Sequence, residues 1–570
     1  MTRLSAASFR SGFLLWMAMN INAVSAADSK LRSSASDPPV QSVQPEDPRQ
    51  SVVGGSNLRP VDINRNIYEA ENARVRKYIR EIEERSLRSR TGLMGDPNHT
   101  IPYENHPYEK TSPRNLQSGG SSTNSSSTSG TLQTNTDLFK PIRIQFFTDA
   151  MDSMRTSQNA AQIDFVKNEI LHGAAQFWSS AISVVPVSGN LKISASELDD
   201  RMYCGDPQLS KVPAEHISTG VPDVDLIIYV SANPSSQFCS GTTLAVAVSC
   251  NVDQYDRPTA GAVNVCLDQI QLNSAGTASD AVVLANTDVV IHECCHVLGL
   301  TSNSFPFYWD PETGKPRTPR PLVPQTVTCV DNVQRNILLP SSDTLKLATD
   351  SNGQRYATIV TKKVRAIARN QFDCQSLEGA RLNTEATTSG SCLGDHWDKH
   401  DYNPALMTAV VSPTTIVRTY LTLALLEDSG WYKANYTMGQ MNAWALGAGC
   451  SFINDACLTV DSSGNTNIPD YSQGYFCKDS SSRGCGPTLS HKMACTVMDY
   501  LYISPRTLPP ARFQYFPNAP TTGGIRQVDF CPTYDSTYGG LSTAQLACTD
   551  TNNVDSLNIY RYVVELRLEN

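Results

Sequence analysis

The sequence predicts an α+β protein: a twisted mixed sheet carrying one long helix, then a central region, then a disulfide-stapled C-terminal region. Three observations lead there. Strand-length runs, "VDLIIYVSAN", "TTLAVAVSC" and "AGAVNVC", follow one another between residues 224 and 266. A helical pattern, "SDAVVLANTDVVIHECCHVLGL", comes directly after them. All 16 cysteines lie beyond residue 200, and an even count in an exported chain implies disulfides.

At 570 residues the chain exceeds what one core usually organises, and about two to four domains are expected. Lys and Arg total 46 against 55 Asp and Glu, a net charge of −9. That balance excludes a nucleic-acid binder whose affinity rests on phosphate contacts. No run of Lys and Arg suggests a membrane-surface patch. Residues 1–26 have the form of a signal peptide: Arg3 and Arg10, an apolar stretch at 13–19, and small residues at Val24-Ser25-Ala26 before the cut. No later segment has eighteen unbroken apolar residues, so no membrane span is expected after the signal. Sequons at Asn98, Asn124 and Asn435 are candidate glycosylation sites. The ending "NIYRYVVELRLEN" does not resemble a lipid-anchor signal. Secretion is therefore expected, and oligomeric state is not readable.

Residues 27–117 are polar and free of cysteine, and a Gly/Ser/Thr linker follows at 118–136. A signal, a polar segment and a linker before a cysteine-rich body predict a pro-region that is removed. The body opens with a strand in "KPIRIQFFTD" and an amphipathic helix over 157–182. The strand runs come next, with "TTLAVAVS" (242–249) the candidate sheet edge. In the helix that follows, Asn286, Thr287 or Asp288 is expected to cap near its start. The expected units are 137–300, 301–455 and a Cys-rich 456–570.

The chemistry is carried by "VVIHECCHVLGL", residues 289–300. On a helix each residue turns by about 100°, so His296 falls about 40° from His292, one turn along, and both rings can meet one ion. Glu293 sits to one side, where it reaches water rather than metal; this is the H-E-x-x-H arrangement of zinc hydrolases. Cys294 lies about 200° around and faces away, and Cys295 about 60° to the side. Adjacent residues in a helix make a poor disulfide. Both cysteines read as buried apolar residues, with oxidation of Cys295 modulating the site as the alternative. Gly299 allows a sharp turn after the helix and extends the motif to H-E-x-x-H-x-x-G, the opening of the metzincin signature. That signature's next histidine would stand at 302, where this chain has Ser302. The third ligand must come from farther away. "CLGDHWDKHDYNPALMTAVVSP" offers His396 and His400 ahead of Met407. His396 followed by Met407 on a tight turn fits best, with His400 the alternative ligand.

These stretches, with "CGDPQLSKVPAEHISTGVPDVDLIIYVSA", "LALLEDSGWYKANYTMG" and "FCKDSSSRGCGPTLSHKMACTVM", resemble the leishmanolysin family of surface zinc metalloproteases, over roughly residues 138–548. The resemblance implies a metzincin-type zincin catalytic domain and one catalytic Zn2+. It implies His292, His296 and His396 as zinc ligands, Glu293 as catalytic base and Met407 as the Met-turn residue. The activity implied is hydrolysis of peptide bonds in protein or peptide substrates by a zinc-activated water. A role in cell adhesion and a cell-surface location are implied as well. It also implies the disulfides Cys204–Cys250, Cys374–Cys450, Cys457–Cys531 and Cys477–Cys495, with Cys485–Cys548. Elimination then leaves Cys239–Cys266 and Cys329–Cys392. The family's insertion between the second and third histidines is enlarged here, with 99 residues between His296 and His396. The pro-region lacks the family's cysteine; His99 or His106 could stand in for it. Two other readings stay open: an inactive adhesion protein with no need of Glu293, and a structural zinc site with a fourth protein ligand.

Overall fold

The computed structural model describes residues 138–536, apart from 199–200, 240, 242, 351–352, 385–391, 411–415 and 503–507. The expected signal peptide, pro-region and linker lie outside the described residues, as do Asn98, His99, His106, Asn124 and Cys548.

The strand runs form one four-stranded sheet. Its members are β1 (Ile144–Phe147), β2 (Leu226–Ser231), β3 (Ala245–Val252) and β4 (Pro258–Val265). The spatial order is β1-β2-β4-β3. β1, β2 and β4 run parallel, and β3 pairs antiparallel with β4 at the edge. β2 is buried along its whole length, as expected of a strand covered on both faces. Leu226, Ile228 and Val230 point into the main core, while Ile227 and Tyr229 join a second cluster with Val246, Val248 and Ala262. The first strand is broken after Pro141, and the backbone and guanidinium of Arg143 turn to the fully buried carboxylate of Asp225 (3.0, 2.9 and 2.8 Å). The helix expected at 157–182 runs from Ala160 through a π turn at Val166–Ile170 into α1 (Leu171–Ala181).

The histidine-bearing helix α2 spans Asp280–Leu298 and starts earlier than the sequence suggests. Ser279 is its cap, accepting the Val282 N–H. Asn286 and Thr287 instead bond back to the carbonyls of Val282 and Val283 (both 2.8 Å), and Asp288 pairs with Arg418 (2.7 Å). Side chains suited to capping are thus satisfied inside the helix, so they did not mark its start. By length and composition α2 could pass for a membrane span. It packs instead on β3 and β4. At Gly261 of β4 a Cβ would lie 2.5 Å from a methyl of Val297, so glycine there sets how closely helix and sheet approach. Val290, Ile291, Val297 and Leu298 are buried, and each contributes about 1.5–3 kcal/mol by leaving water.

After α2 the chain makes a long excursion. β5 (Leu345–Thr349), β6 (Arg355–Ile359) and β7 (Ala380–Arg381) form an antiparallel sheet. α3 (Lys362–Phe372) packs on α5 (Tyr420–Asp428), with the short α4 (Lys399–Tyr402) between them in sequence. Asp428 accepts the N–H groups of Lys363 and Val364 (2.7 and 3.1 Å), capping α3 from α5. Beyond residue 456 the described chain is short strands and 3-10 turns.

Six disulfides join described cysteines: Cys204–Cys250, Cys239–Cys266, Cys329–Cys392, Cys374–Cys450, Cys457–Cys531 and Cys477–Cys495. Cys485 is also disulfide-bonded. Loops of this length make each link worth about 2–4 kcal/mol.

Candidate metal centre

One turn of α2 separates His292 from His296, and their Nε2 atoms lie 3.1 Å apart. The Nε2 of His396 lies 3.2 Å from each. Zn–N bonds of 2.0–2.1 Å in a tetrahedron place ligand nitrogens about 3.3 Å apart. The donor chemistry fits as well. His292 Nδ1 donates to the Leu406 carbonyl and His296 Nδ1 to the Leu300 carbonyl, each at 2.7 Å. With the proton fixed on Nδ1, each neutral ring presents a bare lone pair at Nε2. Lone pairs converging this closely repel unless a cation lies between them.

Burial drives the proton affinity of His292 down to about 3, helped by the neighbouring His296 and opposed by the Leu406 carbonyl. Burial lowers that of His296 too, against the Leu300 carbonyl and the charge of Asp395. Both rings are therefore neutral near pH 7 and able to offer a lone pair to a metal. Among the described residues this group of ligand-type side chains stops at three. Glu293 is buried beside the triad, and burial alone pushes its carboxyl up to about 8.

The helix ends where the site needs it to. Gly299 takes φ 128°, and its N–H bonds the carbonyls of Cys295 and His296. A Cβ there would lie 2.7 Å from the Trp431 ring. The hydroxyls of Tyr432 and Tyr308 donate to the carbonyls of Leu298 and Gly299 (3.0 and 2.9 Å), satisfying buried helix-end acceptors. Gly299→Ala is expected to destabilise the protein by about 2 kcal/mol or more, through backbone strain and the clash with Trp431. Denaturant unfolding of the variant checks this.

His396 rides a short extended segment. Trp397 bridges Leu382 on one side and Thr408 on the other, and its N–H donates to the Met407 carbonyl (2.8 Å). Met407 is fully buried, in a turn closed by the Thr408 N–H on the Ala405 carbonyl (3.1 Å). The turn that holds Met407 also supplies the Leu406 carbonyl to His292.

His400 stands elsewhere. Asp398 accepts the His400 and Asp401 N–H groups (2.8 and 3.4 Å) and turns the chain, and His400 Nδ1 meets Asp401 at 2.9 Å. Its ring stacks on Phe476 with centroids 5.1 Å apart. Cys294 and Cys295 are both fully buried free thiols. Burial pushes both thiols far above their ordinary range, so neither offers a thiolate to a metal. Asn435 is exposed, with its Nδ2 on the Ser180 carbonyl (3.0 Å) and its Oδ1 accepting from Thr437 Oγ1 (2.7 Å).

The sequence did not single out Asp395 or Asn383. The Ser302 N–H donates to Asp395 Oδ1 at 2.8 Å. Asn383 Oδ1 accepts the N–H groups of Asp395 and His396 at 3.1 and 3.2 Å. The acid beside His396 in "LGDHW" was the one available signal, and in sequence it reads equally as a surface charge.

The chain is similar in sequence to several known proteins. A "Leishmanolysin-like peptidase" of Drosophila pseudoobscura pseudoobscura is 29% identical over 365 residues, covering 56% of this chain and 51% of its own length. A "Leishmanolysin homolog" of Crithidia fasciculata is 28% identical over 374 residues, covering 65% and 47%. "Leishmanolysin" of Leishmania major is 26% identical over 371 residues, covering 65% and 50%. The chain spans about half the length of the curated relatives it matches. Residues 129–313 and 333–563 match the family pattern described as leishmanolysin. That match takes in both histidines of α2, Gly299, His396 and Met407 within well over half of the sequence, and the chain belongs to the leishmanolysin family.

Proposed function

We propose that the protein is a zinc-dependent endopeptidase acting on extended protein substrates, with His292, His296 and His396 holding the ion and Glu293 moving the proton. The observation that carries this reading is the convergence of three Nε2 atoms within 3.2 Å of one another, with no fourth side chain joining them among the described residues. A structural zinc site uses four protein ligands, whereas a catalytic one keeps a position open. Bound there, zinc would act as a Lewis acid, lowering the pKa of water toward about 7 and polarising the scissile carbonyl.

The chain's own residues do the rest. Glu293 takes a proton from the attacking water and returns it to the leaving amine. Its burial without a bound cation pushes its carboxyl up, and the charge of a bound zinc would act in the opposite direction, toward the carboxylate form a base needs. The Leu406 and Leu300 carbonyls hold the two α2 imidazoles in orientation, and buried Met407 belongs to the turn that carries Leu406. Among the described residues the edge strand β3 pairs on one side only in the sheet order, which suits an extended peptide added by main-chain hydrogen bonds.

The family's adhesion role gains no support from any one contact, whereas a buried carboxyl beside the triad favours the enzyme over an inactive binder. Six disulfides favour export to an oxidising compartment. The domain limits, removal of residues 27–117 and glycosylation at Asn98, Asn124 and Asn435 belong to the same proposal. For Asn435, modification requires release of its Nδ2 from Ser180. The test is digestion of an unfolded protein by the processed chain with its metal content measured. Cleavage is expected to stop on chelation and return with added zinc. A fully zinc-loaded preparation that cleaves nothing sinks the reading.

A further inference from the structure

We propose that Asp395 and Asn383 are positioning residues that clamp His396 to the turn after α2, with Ser302 serving as the anchor where a nearby third histidine would otherwise stand. The inference rests on the triad holding zinc. His292 and His296 are placed by one rigid helix, but His396 arrives after 99 intervening residues. Something must fix that returning segment against α2, because a ligand misplaced by an ångström weakens both metal binding and chemistry.

The clamp has two jaws. On the α2 side, the Ser302 N–H donates to Asp395 Oδ1 at 2.8 Å, and Thr301 Oγ1 lies 3.5 Å from the same oxygen. A carboxylate accepting an N–H makes a stronger bond than a neutral acceptor, and Asp395 is buried, where the bond is less screened. On the other side, Asn383 Oδ1 accepts from both the Asp395 and His396 N–H groups, and its own N–H donates to the His396 carbonyl at 2.9 Å. The side chain and backbone of Asn383 therefore hold the ligand residue's peptide groups before and after it.

Gly394 belongs to the same device. It takes φ 88°, and a Cβ there would lie 2.6 Å from the Asn383 carbonyl oxygen and 2.9 Å from its Oδ1. The glycine lets the segment come close enough to Asn383 for the double acceptance. Neither Asp395 nor Asn383 is in the metal-ligand group; Asp395 also places its charge near His296, so the uncharged Asn383 isolates the positioning effect on His396.

The test measures the zinc dissociation constant of the full processed chain by chelator competition, and the visible spectrum of the cobalt-substituted protein. Asp395→Ala and Asn383→Ala are each expected to weaken zinc about 10- to 100-fold and to alter the cobalt spectrum, with the metal-free circular dichroism unchanged. Asp395→Asn keeps an acceptor for the Ser302 N–H, and its affinity is expected between those of the wild type and Asp395→Ala. Should Asp395→Ala not fold, Asp395→Asn and Asn383→Ala carry the test. Wild-type affinity and an unaltered spectrum in the variants that fold would overturn the clamp while leaving the peptidase reading in place. Wild-type protein that takes up no zinc overturns both. A loaded wild type that cleaves nothing, with weakened zinc in the variants, supports the clamp and removes only the peptidase.

Discussion

Glu293→Ala is expected to lower kcat by about 10²–10⁴-fold, the range spanned by a lost general acid–base group, while the variant still takes up its zinc. The separation matters because Glu293 is buried beside the triad yet is not in the ligand group. Loss of metal along with activity would instead make it a ligand, and retained activity would return the inactive-binder reading. Metal-free protein gives an independent readout of the same carboxyl. Its folded value is about 8 against an ordinary 4.5, so between those pH values the folded state holds a proton that the unfolded state has lost. Stability from this group is therefore full below the ordinary value and declines as pH rises toward the folded one. The loss over that whole range is on the order of 5 kcal/mol if burial is undiminished. Glu293→Gln removes that slope. Denaturant unfolding of both metal-free proteins at pH 5.5 and 8.5 checks it, and parallel profiles would sink the assignment.

His396→Ala is expected to weaken zinc by on the order of 10²–10³-fold, since about 10–16 kcal/mol over four ligands leaves about 2.5–4 kcal/mol for each. His400→Ala is the informative partner. That ring lies in the aromatic group with Phe476 and Phe452, at centroid distances of 5.1 and 5.4 Å. Its loss is expected to cost about 2–4 kcal/mol of stability and to leave zinc affinity unchanged. Chelator competition on both variants separates them. Equal loss of affinity in the two would mean that the third ligand is misassigned.

The parts of this protein that were legible in sequence are those governed by local pattern. The strands of the central sheet announce themselves as apolar runs, such as "LIIYV" in β2. His292 and His296 were legible because one helical turn fixes their relation. The start of α2 was not, because Asn286 and Thr287 spend their side chains on carbonyls four residues back. Sequence preferred His396 for its place ahead of Met407 but kept His400 as the alternative, because neither lies on the same helix as the first two histidines. Asp395 and Asn383 were out of reach, since each works by a hydrogen bond whose partner the fold supplies, and Ser302 lies 93 positions from Asp395.

The excursion between Ser302 and Asn383 is fastened at both ends to the metal centre, and Cys329–Cys392 ties its interior to the segment just ahead of His396. Its length is thereby uncoupled from the coordinates of the third ligand. Residues could be added at its exposed surface positions, such as Val323–Pro324, without moving His396, whereas α3 and the β5-β6-β7 sheet pack into the core and are not free to change length. Each doubling of a flexible loop costs only about 0.6 kcal/mol. The enlarged insertion is in this sense a tolerant graft site, where a reporter or an added recognition module could be installed beside a metal centre whose own frame stays put.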